Sequence, residues 1–428
     1  MKLAIIAGGK GTRLGIKDLP KPMVPVGDMP ILERQILLAR KYGIKDIYLL
    51  EGHLAKKIQS YFGDSKAFGV NIQHIVEDSP LGTAGAVRLL KGVIKERFMV
   101  FYGDVIMNMD LDALIAFDRQ DDSIATLVVH PNDHPLDSDL VEINEDSRVV
   151  HFYSKPHPEG SFLNNLVNAA AYIVDPAIFE AIPDDRPTDF GKDIFPSLVA
   201  DGKTIRAYKT AEYLKDVGTA KRIEEVGRDV ESGKVARLSK ENKRSAVFID
   251  RDGTLVRNVP LLSRAEDLEL YSFTIEALKK INKSEFLSFL ITNQPVVARN
   301  LCDLRGVKNI HNKLETILGK EGAYLNDIYF CPHHPDKGYP EENPDYKIDC
   351  SCRKPKTGMI ETAVREYNVD MESSWVVGDT TVDIQTGKNA GLKTILVKTG
   401  DKGSDKKYDV RPDHEFEDFA EAVNFILS

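Results

Sequence analysis

Short apolar runs alternate with longer amphipathic stretches along nearly the whole chain, and this alternation leaves few folds open. The apolar runs cover residues 3–7, 46–50, 98–102 and 124–129, then 246–250, 286–292, 374–378 and 394–397. Between them lie stretches such as residues 31–42, where apolar side chains recur at three- and four-residue spacing, the period of a helix. Strands separated by helices pair in parallel, so the pattern predicts an α/β fold with helices on both faces of its sheets. At 428 residues the chain is longer than one ordinary core organises, which predicts more than one domain. Apolar periodicity fades in the charged run EEVGRDVESGKVARLSKENKR and returns abruptly at AVFID. The expected division is therefore a domain over 1–230, a linker over 231–244 and a second domain over 245–428.

A formal net charge of -9 argues against a nucleic-acid partner, because phosphate backbones reward a basic surface. No uninterrupted apolar stretch approaches the roughly 20 residues that span a bilayer. The opening MKLAIIAGGKGTRL reads as a buried first strand rather than a signal peptide, so the expected location is the cytoplasm, with no membrane partner. Of the four cysteines, Cys331, Cys350 and Cys352 crowd into one region and Cys302 stands apart. Cys331-Pro332-His333 and Cys350-Ser351-Cys352 offer three sulfurs and one nitrogen, enough to close a tetrahedral, structural Zn²⁺ shell. Spacing alone leaves His333 and its neighbour His334 as competing fourth ligands.

The first apolar run ends in Ala7-Gly8-Gly9-Lys10-Gly11-Thr12-Arg13-Leu14. Glycines at a strand end let backbone N–H groups approach a phosphate chain, and the planar fork of Arg13 suits phosphate oxygens. In Pro20-Lys21-Pro22-Met23-Val24-Pro25-Val26 the flanking prolines stiffen the backbone that presents Lys21. Gly82 and Thr83 open a further Gly/Pro turn suited to pressing on a base or ribose, and Asp104 stands at the end of an apolar run. Together these segments resemble the sugar-1-phosphate nucleotidyltransferase family over roughly the first 230 residues. Ser154-Lys155-Pro156, Asn168-Ala169-Ala170-Ala171-Tyr172 and Asp216-Val217-Gly218-Thr219 continue the likeness, with Ser154 in place of an acid and Ala170 in place of a glycine. The resemblance implies a Rossmann-like domain in which Gly8, Gly9, Gly11, Thr12, Gly82 and Thr83 contact the nucleotide and Arg13 and Lys21 polarise the triphosphate. It also implies Mg²⁺ on Asp104 and Asp216, Lys155 on the sugar phosphate and Asn168 on the sugar. Attack of a sugar 1-phosphate on the α-phosphate needs positioning and charge neutralisation more than a protein nucleophile.

The second half carries Val247-Phe248-Ile249-Asp250-Arg251-Asp252-Gly253-Thr254-Leu255, a strand ending in two acids one residue apart. One carboxylate at such a place can attack phosphorus while the other exchanges protons with the leaving oxygen. With Thr292-Asn293-Gln294, Arg353-Lys354-Pro355 and Val376-Val377-Gly378-Asp379, the string resembles the haloacid-dehalogenase (HAD) type phosphatases. That likeness implies a Rossmannoid domain with Asp250 as nucleophile and Asp252 as general acid/base. It further implies Thr292 on the phosphoryl group, Lys354 neutralising the aspartyl-phosphate, and Mg²⁺ on Asp250, Asp379 and the main-chain carbonyl of Asp252, with Asp383 in support. CPHHP followed by CSCRKP resembles the zinc-containing subgroup of heptose-1,7-bisphosphate 7-phosphatases and histidinol-phosphate phosphatases, which favours His333 as the zinc ligand. In that subgroup Asn293, Gln294 and Arg353 are expected at the substrate, although Pro295 and Val296 depart from its usual string.

The two resemblances together imply a bifunctional enzyme. Its small-molecule substrates would be heptose 1,7-bisphosphate, heptose 1-phosphate and GTP, with Mg²⁺ in both domains and Zn²⁺ in one, and oligomeric state left open. A mannose-1-phosphate-type transferase fused to a histidinol-phosphate-type phosphatase, and a ligand-sensing regulator that kept both folds, remain as alternatives.

Overall fold

In the computed structural model, residues 1–9, 11, 18–338 and 342–428 are described. The chain forms two compact units: Met1–His130 with Ser138–Lys155 and Val167–Ser239, and Lys240–Ser428 with Pro131–Asp137 and Pro156–Leu166. Among the described residues no helix is long and apolar enough to cross a membrane.

Unit 1 is built on a mixed sheet of nine strands among the described residues. At its centre Lys2–Ile6 runs parallel to Asp46–Glu51 on one side and Phe98–Tyr102 on the other. Leu3 and Ile5, with Leu49, Met99 and Phe101, are sealed in the core, as an apolar strand covered on both faces requires. The amphipathic stretch expected over 31–42 is the helix Ile31–Lys41, which buries Ile31, Leu32, Ile36 and Ala39. Val167–Val174 runs antiparallel to Phe98–Tyr102, and a separate two-stranded ribbon pairs Tyr213–Asp216 with Val105–Asn108.

Unit 2 is a six-stranded, all-parallel sheet in the order Asp327–Cys331, Leu287–Asn293, Ala246–Ile249, Trp375–Gly378, Lys393–Val397, His414–Phe416. Numbered along the chain, that order is 3-2-1-4-5-6. The winding reverses at Ala246–Ile249, and ligands of such sheets collect at the carboxyl ends beside the reversal. Residues 231–244 are partly helical: Ala220–Glu231 ends there, Lys234–Arg237 forms a further turn of helix, and Leu238 is buried with Val24, Ile31 and Val226. Arg244 then exchanges main-chain hydrogen bonds with Asn368 and Asp370 in unit 2.

Unit 2 also includes residues that precede its main stretch. The main-chain N and O of Leu163 both bond Thr316 Oγ1, at 3.0 and 3.1 Å, on the helix Leu304–Lys320. Phe162 packs on the unit 2 core, and a Cβ at Gly319 would lie 2.4 Å from Pro135 Cγ. Only glycine fits at 319 while Pro135 is there.

Candidate functional sites

In unit 2 the acids and the lysine picked out from the sequence converge at the switch point. Asp250 leaves the first strand, Asp379 the fourth, and Lys354 reaches in to donate to Asp250 Oδ1 at 2.5 Å and Asp383 Oδ1 at 2.6 Å. A third bond to Ile291 O at 3.0 Å uses the last ammonium hydrogen. Asp383 Oδ2 is taken by Thr380 in the capping box of the helix Thr381–Ala390. Asp379 Oδ2 accepts from Asp401 N, but its Oδ1 is buried with no hydrogen-bond partner. Gly253 makes this packing feasible: it sits at φ +84°, and a Cβ there would lie 2.2 Å from Asp379 Oδ2.

The charges do not balance. Asp250, Asp379 and Asp383 offer three carboxylates within 4.8 Å of one another against the single ammonium of Lys354, so ionising all three would leave a charge of about minus two. Burial, with the neighbouring carboxylates, pushes Asp250 up to about 7 against the pull of Lys354. Burial likewise pushes Asp379 up to about 9. Burial also works against the Lys354 ammonium, yet Asp250 and Asp383 outweigh it and hold the group above its ordinary value. A small divalent cation with oxygen ligands fits both the surplus negative charge and the orphaned Asp379 oxygen. The side chain of Asp252 is not part of this cluster; it turns to Arg251 and Gln294.

Four neighbours are held by hydrogen bonds inside the unit. Asn293 clamps the main chain of Lys354, accepting from its N at 3.0 Å and donating to its O at 3.2 Å. Gln294 is buried and donates to Asp252 and to Thr292 Oγ1. Arg251, given no role from sequence, is wholly buried beside Asp252. Arg353 donates to the carbonyl of His333 at 2.9 Å, tying the cationic turn to the cysteine loop.

In that loop Cys331, Cys350, Cys352 and His333 Nδ1 close on one point. The sulfurs lie 3.1–3.5 Å apart and His333 Nδ1 is 3.7 and 3.5 Å from two of them. A tetrahedral zinc shell with Zn–S bonds of about 2.3 Å has edges of about 3.8 Å, so the four donors need only a slight expansion to fit. His334 instead accepts from Asp336 N through its Nδ1, so the donor group that converges here includes His333 and not His334. Cys302 lies elsewhere, beside Gly306.

In unit 1, Thr12 and Arg13 lie outside the described residues. Gly11 sits with its Cα hydrogens against Lys21, where a Cβ would lie 3.1 Å from Lys21 Cβ. Lys21 is ion-paired with Asp104. Asp216 receives Arg222 on both oxygens at 2.7 Å. The two acids are brought together by the ribbon: Asp216 pairs with Val105, and Val217 N donates to Asp104 O at 2.9 Å. Gly8 faces Glu77, and a Cβ there would lie 2.5 Å from its carboxylate; Gly9 has open space. Gly82 presses on Thr188 O, and Thr83 Oγ1 donates to Asp189 at 2.8 Å. Asp139, which no sequence signal singled out, accepts from Lys155 N, while its main-chain carbonyl accepts from Asn168 N. Asn168 in turn donates to Tyr172 at 3.0 Å. Ala170, at the position where the resembled element has glycine, stands at φ +57° beside an irregularity in the strand pairing.

Comparison with known proteins adds the chemistry these arrangements serve elsewhere. The profile of the nucleotidyl transferase family matches residues 2–233, and that of the HAD-hydrolase-like family residues 351–422. A mannose-1-phosphate guanylyltransferase of Mycobacterium tuberculosis is 32% identical over 219 residues, which is 50% of this chain and 60% of that protein's own length. A D-glycero-alpha-D-manno-heptose-1,7-bisphosphate 7-phosphatase of Photorhabdus laumondii is 39% identical over 37% of this chain and 85% of that one. A D-glycero-D-manno-heptose-1,7-bisphosphate 7-phosphatase of Thermosynechococcus vestitus is 37% identical over 43% of this chain and 96% of that one.

Proposed function

From a chain that belongs to the nucleotidyl transferase family through its first half and to the heptose-1,7-bisphosphate 7-phosphatases through its second, we propose a bifunctional enzyme of nucleotide-heptose synthesis. Unit 2 removes the 7-phosphate from D-glycero-D-manno-heptose 1,7-bisphosphate, and unit 1 joins the resulting heptose 1-phosphate to GMP from GTP, releasing pyrophosphate. The observation that carries this reading is the presence in one chain of two enzymes whose chemistries interlock. A phosphatase that spares the 1-phosphate makes the nucleophile that a sugar-1-phosphate nucleotidyltransferase consumes.

In unit 2 the Asp250 carboxylate attacks phosphorus while the P–O bond to the sugar breaks, and Asp252 gives the departing oxygen its proton. Asp252 then takes a proton from water, the water oxygen attacks phosphorus, and the bond to Asp250 breaks to release inorganic phosphate. Lys354, shared between Asp250 and Asp383, holds the nucleophile in line and offsets the charge gathered at the aspartyl-phosphate. Asp250 and Asp379 are the side chains that would hold Mg²⁺, which when bound neutralises phosphoryl oxygens. The cysteine–histidine cluster would hold a structural Zn²⁺ that fixes the loop presenting Arg353 and Lys354. In unit 1, Lys21 and Arg13 orient the triphosphate, and Asp104 and Asp216 would hold the second Mg²⁺. Lys155 and Asn168 would meet the sugar phosphate and the sugar. The setting fits a cytoplasmic pool of small phosphorylated sugars.

Incubating the protein with heptose 1,7-bisphosphate, Mg²⁺ and each nucleoside triphosphate in turn tests both assignments, with products read by phosphorus NMR and mass spectrometry. Phosphate release followed by GDP-heptose is the expected result. Phosphate release from histidinol phosphate but not from the heptose bisphosphate would sink it.

A further inference from the structure

Arg251 stands between the two acids of the motif, and its guanidinium is wholly buried. Burying a guanidinium costs several kcal/mol unless its hydrogens find partners, and an aliphatic side chain would usually serve stability as well. Here its hydrogens are spent on one task. Nε donates to Asp252 Oδ1 at 3.1 Å and Nη2 to Asp252 Oδ2 at 2.9 Å, a two-point grip on the carboxylate. Nη2 also donates to Gln294 Oε1 at 2.9 Å, and Gln294 Nε2 returns to Asp252 Oδ2 at 3.1 Å, closing a ring of three side chains. Behind the guanidinium, Nη1 meets His311 Nε2 at 3.2 Å. Arginine only donates, so His311 accepts there and carries its proton on Nδ1. His311 is itself wedged edge-on against Phe330, which stops the arginine from retreating.

We propose that Arg251, backed by His311 and tied through Gln294, is the positioning residue that sets the angle at which Asp252 meets the reacting phosphoryl group. The inference rests on the reading of Asp252 as the proton carrier of the phosphatase reaction. Both half-reactions use the same carboxylate, first against the leaving oxygen and then against water. Small errors of angle are costly in such transfers. Loosening the grip leaves the attack by Asp250 intact but misaims the proton transfer.

Two substrates separate this role from a structural one. p-Nitrophenyl phosphate expels a stable phenolate and needs little proton donation, whereas heptose 1,7-bisphosphate must expel a sugar alkoxide and needs it fully. For Arg251→Gln in the full chain with Mg²⁺, nitrophenolate is expected in a burst of about one equivalent per site, followed by slow turnover as water activation becomes limiting. On the heptose substrate no burst is expected; kcat falls roughly a hundredfold while KM stays within about threefold. Arg251→Lys recovers part of the loss on both substrates. Equal losses on both substrates with no burst, or a lysine variant no better than glutamine, would overturn the proposal. Should Arg251→Gln fail to fold by circular dichroism, His311→Gln carries the same test at smaller amplitude, and an unchanged split between substrates there overturns it equally. Asp252→Asn is the control on the premise: without a p-nitrophenyl phosphate burst in that variant, the role given to Asp252 fails, whatever Arg251 does.

Discussion

The two candidate sites handle charge in opposite ways. In unit 2 the acid cluster is buried: the Asp250, Asp383 and Lys354 side chains are 11%, 2% and 3% exposed, and Lys354 bonds to both acids. In unit 1 Asp104 and Asp216 are 30% and 40% exposed, each covered by a cation of its own, Lys21 and Arg222. A protein nucleophile must be aimed before substrate arrives, so its neighbours are fixed in a buried lattice. A site that joins two bound substrates is completed by their phosphates. Under the proposed reading, its resting cations Lys21 and Arg222 are parked on acids from which a triphosphate and a metal ion would release them.

Substituting one group in each site puts the contrast to its hardest trial. Asp250→Asn replaces the carboxylate proposed as nucleophile and is expected to lower phosphate release roughly a thousandfold or more while nucleotidyl transfer stays within about twofold. Lys21→Ala, measured by pyrophosphate release, is expected to lower transfer roughly a hundredfold and spare the phosphatase. Loss of both activities from either change would end the description of two independent sites. Next in size is the effect of a strong chelator, which under the proposed reading strips zinc from the cysteine–histidine cluster. A structural metal contributes several kcal/mol, so the unfolding temperature of unit 2 should fall by roughly 10 °C while that of unit 1 holds.

A smaller effect belongs to His311. Burial first, and then Arg251, hold its pKa well below the ordinary histidine value, so it stays neutral in the folded chain while the unfolded chain takes up a proton. Stability is therefore full above about pH 6.5 and is lost as pH falls below it, by up to about 1.4 kcal/mol per unit, until His311 is protonated in place. Denaturant titrations from pH 7 to 5 should show that slope for unit 2 and a flatter one in His311→Gln. The smallest effect is a gain in unit 1. Ala170 holds a left-handed backbone that glycine adopts without steric cost. Ala170→Gly should therefore stabilise that unit by about 0.5–1 kcal/mol in thermal unfolding.

How much could be read without coordinates follows the same divide. Strands buried on both faces, such as Ala246–Ile249 and Phe98–Tyr102, announced themselves because every residue had to be apolar. Edge strands such as Asn71–Val76 and His414–Phe416 meet water and carry mixed sequences, so no periodicity marked them. Side chains that strand ends aim directly, such as Asp250, Asp379 and Cys331, follow from their motifs. What Asn293, Gln294 and Arg251 touch does not, since it depends on Lys354 and His311, which lie 61 and 60 residues away from Asn293 and Arg251 respectively. Residues 231–244 read as a tether because they are charged, and within them Val235 and Leu238 pack on an apolar cluster that no periodicity marked.

The Thr316 hydroxyl that receives Leu163, and the bare Cα of Gly319 beneath Pro135, mean that the gene's seam and the protein's seam do not coincide. The chain passes between units after His130, Asp137, Lys155, Leu166 and Ser239. Splitting the reading frame at codon 240 would yield a phosphatase shorn of two of its own pieces, with a polar notch and a missing side chain on the Leu304–Lys320 helix shaped for residues encoded upstream. A substitution at 316 or 319 is therefore judged by Leu163 and Pro135, residues encoded well upstream of the helix that carries it.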